Sequence, residues 1–205
     1  MARDTQSIVK MSRREGYALH PKAHKALVKR PTRPGQHGHN ARLGKQSQYA
    51  LQLREKQKVK RLYGLLERQF SNLMQEAGRT SGQSGTVLLQ FLERRLDNVV
   101  YRLGFAPSRR SARQLVTHGH FMLNGVRVNI PSIRVKLGDN ITLHGHSKET
   151  EYFKHLEDNS PAPASVPAWI KGNRKKIEAT VVGIPTRDDA EPDINEQLIV
   201  EYYSR

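Results

Sequence analysis

The chain contains no cysteine, which excludes disulfides, thiolate zinc sites and a cysteine nucleophile in one step. No apolar run approaches the ~18 residues that a membrane-spanning helix requires, and the opening MARDTQ lacks the apolar stretch of a secretory signal. An intracellular protein with no membrane partner is therefore expected. Aromatic residues make up only 6%, with a single tryptophan, Trp169. With a mean hydropathy of −0.70, parts of the chain are expected to fold only against a partner. Acidic residues are also few: 19 Asp and Glu face 35 Lys and Arg, a net charge of +16. The 205 residues suffice for one domain or two small ones with a real core.

The positive charge is concentrated toward the N-terminus. Residues 1–60 hold 15 Lys and Arg against 3 acids, and residues 61–150 hold 13 against 6. Residues 151–205 reverse the balance, with 7 against 10. A polyanion would meet the first two thirds, while the tail has the make-up of ordinary protein surface. An acidic membrane would call for a basic amphipathic helix with exposed aromatics, a periodicity that residues 1–45 lack. Nucleic acid is the expected partner.

Residues 1–46 read as a basic arm, interrupted by Pro21, Pro31, Pro34, Gly35, Gly38 and Gly44 and ordering against RNA. Residues 47–77 carry the clearest helical spacing, from Val59 and Leu62 through Phe70 to Ala77. The opposite face holds Arg54, Lys56, Lys58, Lys60, Arg61 and Arg68. A second helix runs through Leu88, Leu92, Leu96, Val99 and Leu103 and stops at Gly104; a third follows the cap Ser108 and leaves at Gly119. On the third, Ala112, Leu115 and Val116 share one face, beside an arc of Arg109, Arg110, Arg113 and Gln114.

Asn124-Gly125 between β-prone runs predicts a type I′ hairpin, and IRVKLGDNITL predicts two further strands. Residues 144–165 read as a polar surface connector, and Trp169-Ile170, Ile177–Val182 and NEQLIVEYY as short strands or extended segments. The expected fold class is α+β. It comprises a basic arm (1–46), a helical lobe (47–90) onto which 176–205 packs back, a module of helices and a small antiparallel sheet (91–157), and a connector (158–175).

Nothing assembles into an active site. His20/His24, His37/His39 and His118/His120 have spacings that raise a metal site, but Pro21 spoils the helical pair and no thiolate is available; phosphate bonding or base stacking suits these histidines better. KMSRR resembles a synthetase loop and RRLD a pseudouridine synthase motif, yet neither has the catalytic domain it needs. P-loop, dinucleotide glycines and serine elbow are absent. The expectation is a binding protein, not an enzyme, with no cofactor and no metal.

The segment LERRLDNVVYRLGFAPSRRSARQLVTHGHFMLNGVRVNIPSIRVKLGDNI resembles the S4 RNA-binding domain, with the SARQLV helix, its glycine exit and the NG hairpin in family order. SRREG, PGQHG, YALQLREKQKVKRLYGLLERQF and INEQLIVEYYSR extend the resemblance to the bacterial-type ribosomal protein S4 family. The match covers nearly the whole chain and is least diagnostic at 144–175 and 183–192. It implies a primary binder of small-subunit rRNA that docks at a multi-helix junction of the 5′ domain and nucleates the subunit body. It also implies a place near the mRNA entrance of the cytoplasmic ribosome, a contact with ribosomal protein S5 and an influence on decoding accuracy. The alternative is a free-standing S4-domain regulator acting on tRNA or ribosomal subunits, but minimal factors of that kind lack the arm, the first long helix and the tail. One departure stands out. Many family members bind zinc through cysteines around SRREG, where this chain has Val9, Lys10 and Met11. The arm is expected to be ordered by its own packing and by RNA, and stoichiometric zinc in the purified protein would contradict that.

The resemblance and the helical geometry together assign the RNA contacts. Arg109, Arg110, Arg113, Gln114 and His118 would face one RNA backbone, with Asn124 and Arg127 nearby. Arg54, Lys56, Lys58 and Arg61 would face another, while Arg33, Gln36, His37, Arg42 and Lys45 of the arm thread between RNA helices; Arg13 and Arg14 are also expected to bind RNA. Arg42 and Lys45 match the family's basic patch at the mRNA entrance and are expected to touch incoming mRNA. Motif and geometry agree best on Arg109 and Arg113. Replacing both by alanine is expected to flatten the salt dependence of binding by up to about two phosphate equivalents.

Overall fold

A computed structural model describes residues 4–38, 46–163 and 165–204. Among them are ten α-helices: α1 Ile8–Glu15, α2 Ala23–Lys29, α3 Gln48–Leu62, α4 Glu67–Arg79, α5 Ser84–Glu93, α6 Leu96–Arg102, α7 Arg109–Thr117, α8 Glu151–Lys154, α9 Leu156–Asn159 and α10 Glu196–Tyr203. Five strands join them: β1 Phe121–Leu123, β2 Val126–Val128, β3 Asn140–Leu143, β4 Ile170–Asn173 and β5 Glu178–Val181. No helix among the described residues is long and apolar enough to cross a membrane. The chain forms two compact units, Met1–Leu88 with Asp193–Arg205, and Leu89–Pro192.

In the first unit the arm folds on itself. Met11, Leu19 and Ala23 are buried, and the buried Ser12 hydroxyl donates to the Ile8 carbonyl (2.8 Å) while accepting from the Leu19 amide (3.3 Å). Arg13 donates to the Thr32 and Arg33 carbonyls (3.0 and 3.3 Å) and so ties α1 to the segment beyond α2. The continuous helix expected over 47–77 is two helices. Gly64 adopts φ +67°, a left-handed turn that ends α3 and carries Leu65, 2% exposed, into the core before α4 begins. NEQLIVEYY, expected to be extended, is the helix α10. Asn195 caps it by accepting from the Gln197 and Leu198 amides (3.2 and 3.4 Å), and Ile199 is fully buried. Helix α10 lies along α3, joined by Gln52 to Glu201 (2.8 Å) and by the Lys58 ammonium on the Asp193 carbonyl (2.7 Å).

The second unit holds a sheet of order β2-β1-β3-β5-β4, antiparallel throughout. The type I′ turn is as expected, with Asn124 at φ 52° and Gly125 at φ 81°. Ser108 caps α7 through the Ser111 amide (3.2 Å). The expected second long helix breaks at Arg94-Arg95. There the backbone bonds to residues 131–135 instead, with the Leu96 amide on the Ile133 carbonyl (2.8 Å) and the Val135 amide on the Arg94 carbonyl (2.9 Å). Of the two strands expected in IRVKLGDNITL, the second is β3, while the first is reduced to a single bridge, Arg95 to Arg134. The expected surface connector also differs: Phe153 and Leu156 of α8 and α9 belong to the core with Phe105, Phe121 and Trp169.

Candidate nucleic-acid interface

Three acids of the first unit are engaged by its lysines and arginines. Glu15 is buried between Arg54 and Arg61, and Glu67 accepts from Lys56 (2.6 Å) and Lys60 (2.9 Å). Glu55 holds Lys58 at 2.8 Å. These three carboxylates engage five cations, so the positive charge offered to a partner comes from the Lys and Arg outside these pairs. Burial lifts the Glu15 carboxyl above its ordinary value by more than the surrounding arginines pull it down. At Glu67 burial also acts upward, but hydrogen bonds from Lys56 and Lys60 prevail and hold the carboxyl at about 2.

A depressed carboxylate stabilises the fold above its ordinary value of 4.5 and loses that contribution as pH falls toward 2. Glu67 is half exposed, and screening limits the contribution to about 1 kcal/mol. Thermal unfolding followed from pH 5 down to pH 2 should therefore show a steeper loss for the wild type than for Glu67→Gln. Parallel curves would contradict the pairing.

Beside these inner pairs lies an open cleft of about 530 Å³, lined by Arg14, Arg33, Pro34, Gln46, Tyr49, Ala50, Leu53 and Arg54. Arg14 and Arg33 come from the arm and Arg54 from α3, three residues expected at the interface that line the same cleft. Arg54 keeps a third of its side chain exposed while paired with Glu15, so it can serve both. Tyr49, 48% exposed and tilted against Tyr202 at 5.8 Å, was not anticipated. Its signal was an aromatic in the first turn of a helix, on the stretch that leads to Arg54. Gln36 and His37 are exposed nearby in sequence, whereas Arg42 and Lys45 lie outside the described residues.

Lys56 departs from expectation. It is 3% exposed, with its ammonium on Glu67 and 4.4 Å from the Tyr202 ring centre, and it has no surface to offer a phosphate. Lys58 and Arg61 are likewise turned into ion pairs.

In the second unit α7 divides by face. Arg109 donates to the Asn98 side-chain oxygen (2.9 Å) and to Glu191 (2.8 Å). Arg113 reaches Asp97 (3.4 Å), which Arg95 also holds through two hydrogen bonds (3.1 and 2.7 Å). Asn98 in turn donates to Glu93 (2.8 Å), a fully buried carboxylate gripped by Arg102 at 3.0 and 2.9 Å. Arg109 and Arg113 are thus bound into the fold, and Arg110, Gln114 and His118 are the exposed members of the helix and its cap. Arg127 folds over Gly119, donating to the Gly119 and His118 carbonyls (2.9 and 3.3 Å). A Cβ at Gly119 would stand 2.8 Å from that guanidinium, so glycine serves both the turn and the approach. Asn124 bridges to Asp139 and to the Asn140 amide (both 2.8 Å). His120 shares a 3.0 Å hydrogen bond with Ser147 and is held below its ordinary value by burial and by the neighbouring His118, Arg127 and His144. Among the described residues no three His, Asp or Glu are placed to hold a metal.

A helix capped by Ser108, its glycine exit and an NG hairpin on a small antiparallel sheet, in a chain that also has a basic helical unit, define an S4-domain protein. Family models agree: residues 3–93 match the ribosomal protein S4/S9 N-terminal domain, and residues 94–141 match the S4 domain. Relatives described as small ribosomal subunit protein uS4 align over the full length of both chains, with 51% identity in Roseiflexus castenholzii, 52% in Chloroflexus aurantiacus and 51% in Chlorobaculum tepidum. The chain belongs to the small ribosomal subunit protein uS4 family. That family comprises structural proteins of the small ribosomal subunit, a part of the cytoplasmic ribosome in bacteria, and not enzymes.

Proposed function

We propose that the chain is a primary binder of small-subunit rRNA that docks at a multi-helix junction of the 5′ domain and nucleates assembly of the subunit body. The observation that carries this reading is the cleft, where Arg14, Arg33 and Arg54 converge beside an exposed tyrosine. Guanidiniums suit paired contacts with phosphate, and an exposed ring suits an unstacked base. In the second unit, Arg110, Gln114, His118, Asn124 and Arg127 form the contact set on the module. Arg13, Lys56, Lys58, Arg61, Arg109 and Arg113 hold the scaffold that presents both surfaces. The same reading gives the chain a contact with ribosomal protein S5, mRNA contact through Arg42 and Lys45, and a part in decoding accuracy.

Order-of-addition reconstitution tests it. The chain should bind the naked 5′ domain without other proteins, and leaving it out should block later body proteins. Binding only after other proteins have assembled would contradict the primary role. Structured messages should stall on ribosomes carrying Arg42→Ala and Lys45→Ala, and normal unwinding would remove the mRNA contact.

A further inference from the structure

We infer that the tip of the β4–β5 hairpin is a second RNA-backbone site, formed by Lys171, Lys175 and Lys176. The inference rests on the rRNA-binding reading and adds a surface that the charge count of the tail conceals. In the register of the hairpin, Lys171 pairs with Thr180 and Asn173 with Glu178, which puts all four on the outward face. The buried Ile170, Ala179 and Val181 make up the other face. The turn between the strands is built, not loose. The Asn173 side-chain oxygen accepts from the amides of Lys175 (3.1 Å) and Lys176 (3.2 Å). Ile177 sits at φ 54°, an unfavourable conformation for a β-branched residue, and its buried side chain holds it there.

The four cations of KGNRKK are sorted by this turn. Arg174 points inward and donates to the Leu156 and Ser160 carbonyls. Lys171, Lys175 and Lys176 are exposed, and among the described residues no ion pair engages them. The carboxylate closest in the register is Glu178, one against three. Strand β4 is also the edge of the sheet, so the tip is open on its outer side. A phosphate backbone fits this surface better than an acidic protein does. Lysines act as point charges toward phosphate without demanding a fixed orientation. Protein interfaces disfavour lysine at their centres and anchor on aromatics or Arg, and residues 171–176 offer no exposed apolar side chain.

The test compares the full chain with the Lys171→Gln, Lys175→Gln, Lys176→Gln triple variant and its arginine counterpart, each bound to a 5′-domain fragment of 16S-type rRNA. All three positions are solvent-exposed, so unfolding temperatures should match. The glutamine variant should show a salt slope shallower by about two and lose one discrete stretch of protection from hydroxyl radicals; the arginine variant should restore both. Unchanged slope and footprint, alongside tight wild-type binding, would overturn the hairpin site and leave the rRNA reading intact. Failure of the wild type to bind the fragment would overturn both. An unchanged footprint with loss of a neighbouring protein from reconstituted particles would assign the tip to protein and overturn the site.

Discussion

Glu93→Ala should destabilise the protein by about 3 kcal/mol, lowering its unfolding temperature by roughly 6–12 °C. The carboxylate is fully buried and takes two hydrogen bonds from Arg102 and one from Asn98. Its removal takes the bidentate partner from a guanidinium only 18% exposed. Arg102 keeps the Asp189 carbonyl at 3.2 Å and Glu191 at 3.5 Å, which places the loss at the low end of the range for breaking a buried pair. The effect extends to α7, because the Asn98 that Glu93 orients is the acceptor for Arg109. Glu93→Gln retains an acceptor and should cost about half as much. Thermal unfolding followed by circular dichroism measures both, and an alanine shift below about 2 °C would show that Arg102 repairs itself locally.

Arg14→Ala with Arg33→Ala is expected to weaken rRNA binding roughly 30-fold near 0.15 M salt and to flatten the salt slope by about two. Both side chains are exposed on the wall of the cleft, and truncating them breaks no buried pair, so stability should hold. Arg109→Ala with Arg113→Ala should behave in the opposite way. Those guanidiniums are occupied by Asn98, Glu191 and Asp97, so their loss should lower the unfolding temperature and leave the slope nearly unchanged. Salt titrations of the wild type and the two double variants on one rRNA fragment separate the two behaviours. A flat response from the cleft pair, or a slope change near two from the α7 pair, would return the principal contact to α7.

The contrast between these pairs marks the limit of sequence reading. Features encoded by one or two residues were legible: the Ser108 cap, the Gly119 exit and the Asn124-Gly125 turn all stand where local chemistry put them. The break at Arg94-Arg95 was hidden because the apolar spacing continues through it, and only hydrogen bonds to residues 131–135 interrupt the helix. Helix α10 read as extended because Ile199, Val200, Tyr202 and Tyr203 favour strands in isolation; docking on α3 and the Asn195 cap outweigh that preference. At the candidate interface, residue type revealed the surplus of positive charge but not its allocation. Lys56 and Arg14 are both basic residues in the first 60, yet one is buried on Glu67 and the other lines an open cleft. That difference depends on Glu67, Tyr202 and Tyr203 arriving from other helices.

The most direct test of the rRNA-binding claim is crosslinking of the native protein to cellular RNA, followed by sequencing of the bound fragments. The account predicts crosslinks concentrated on one helical junction of small-subunit rRNA, with Tyr49 and the cleft arginines among the crosslinked residues. Crosslinks dominated by tRNA or by large-subunit rRNA would contradict it.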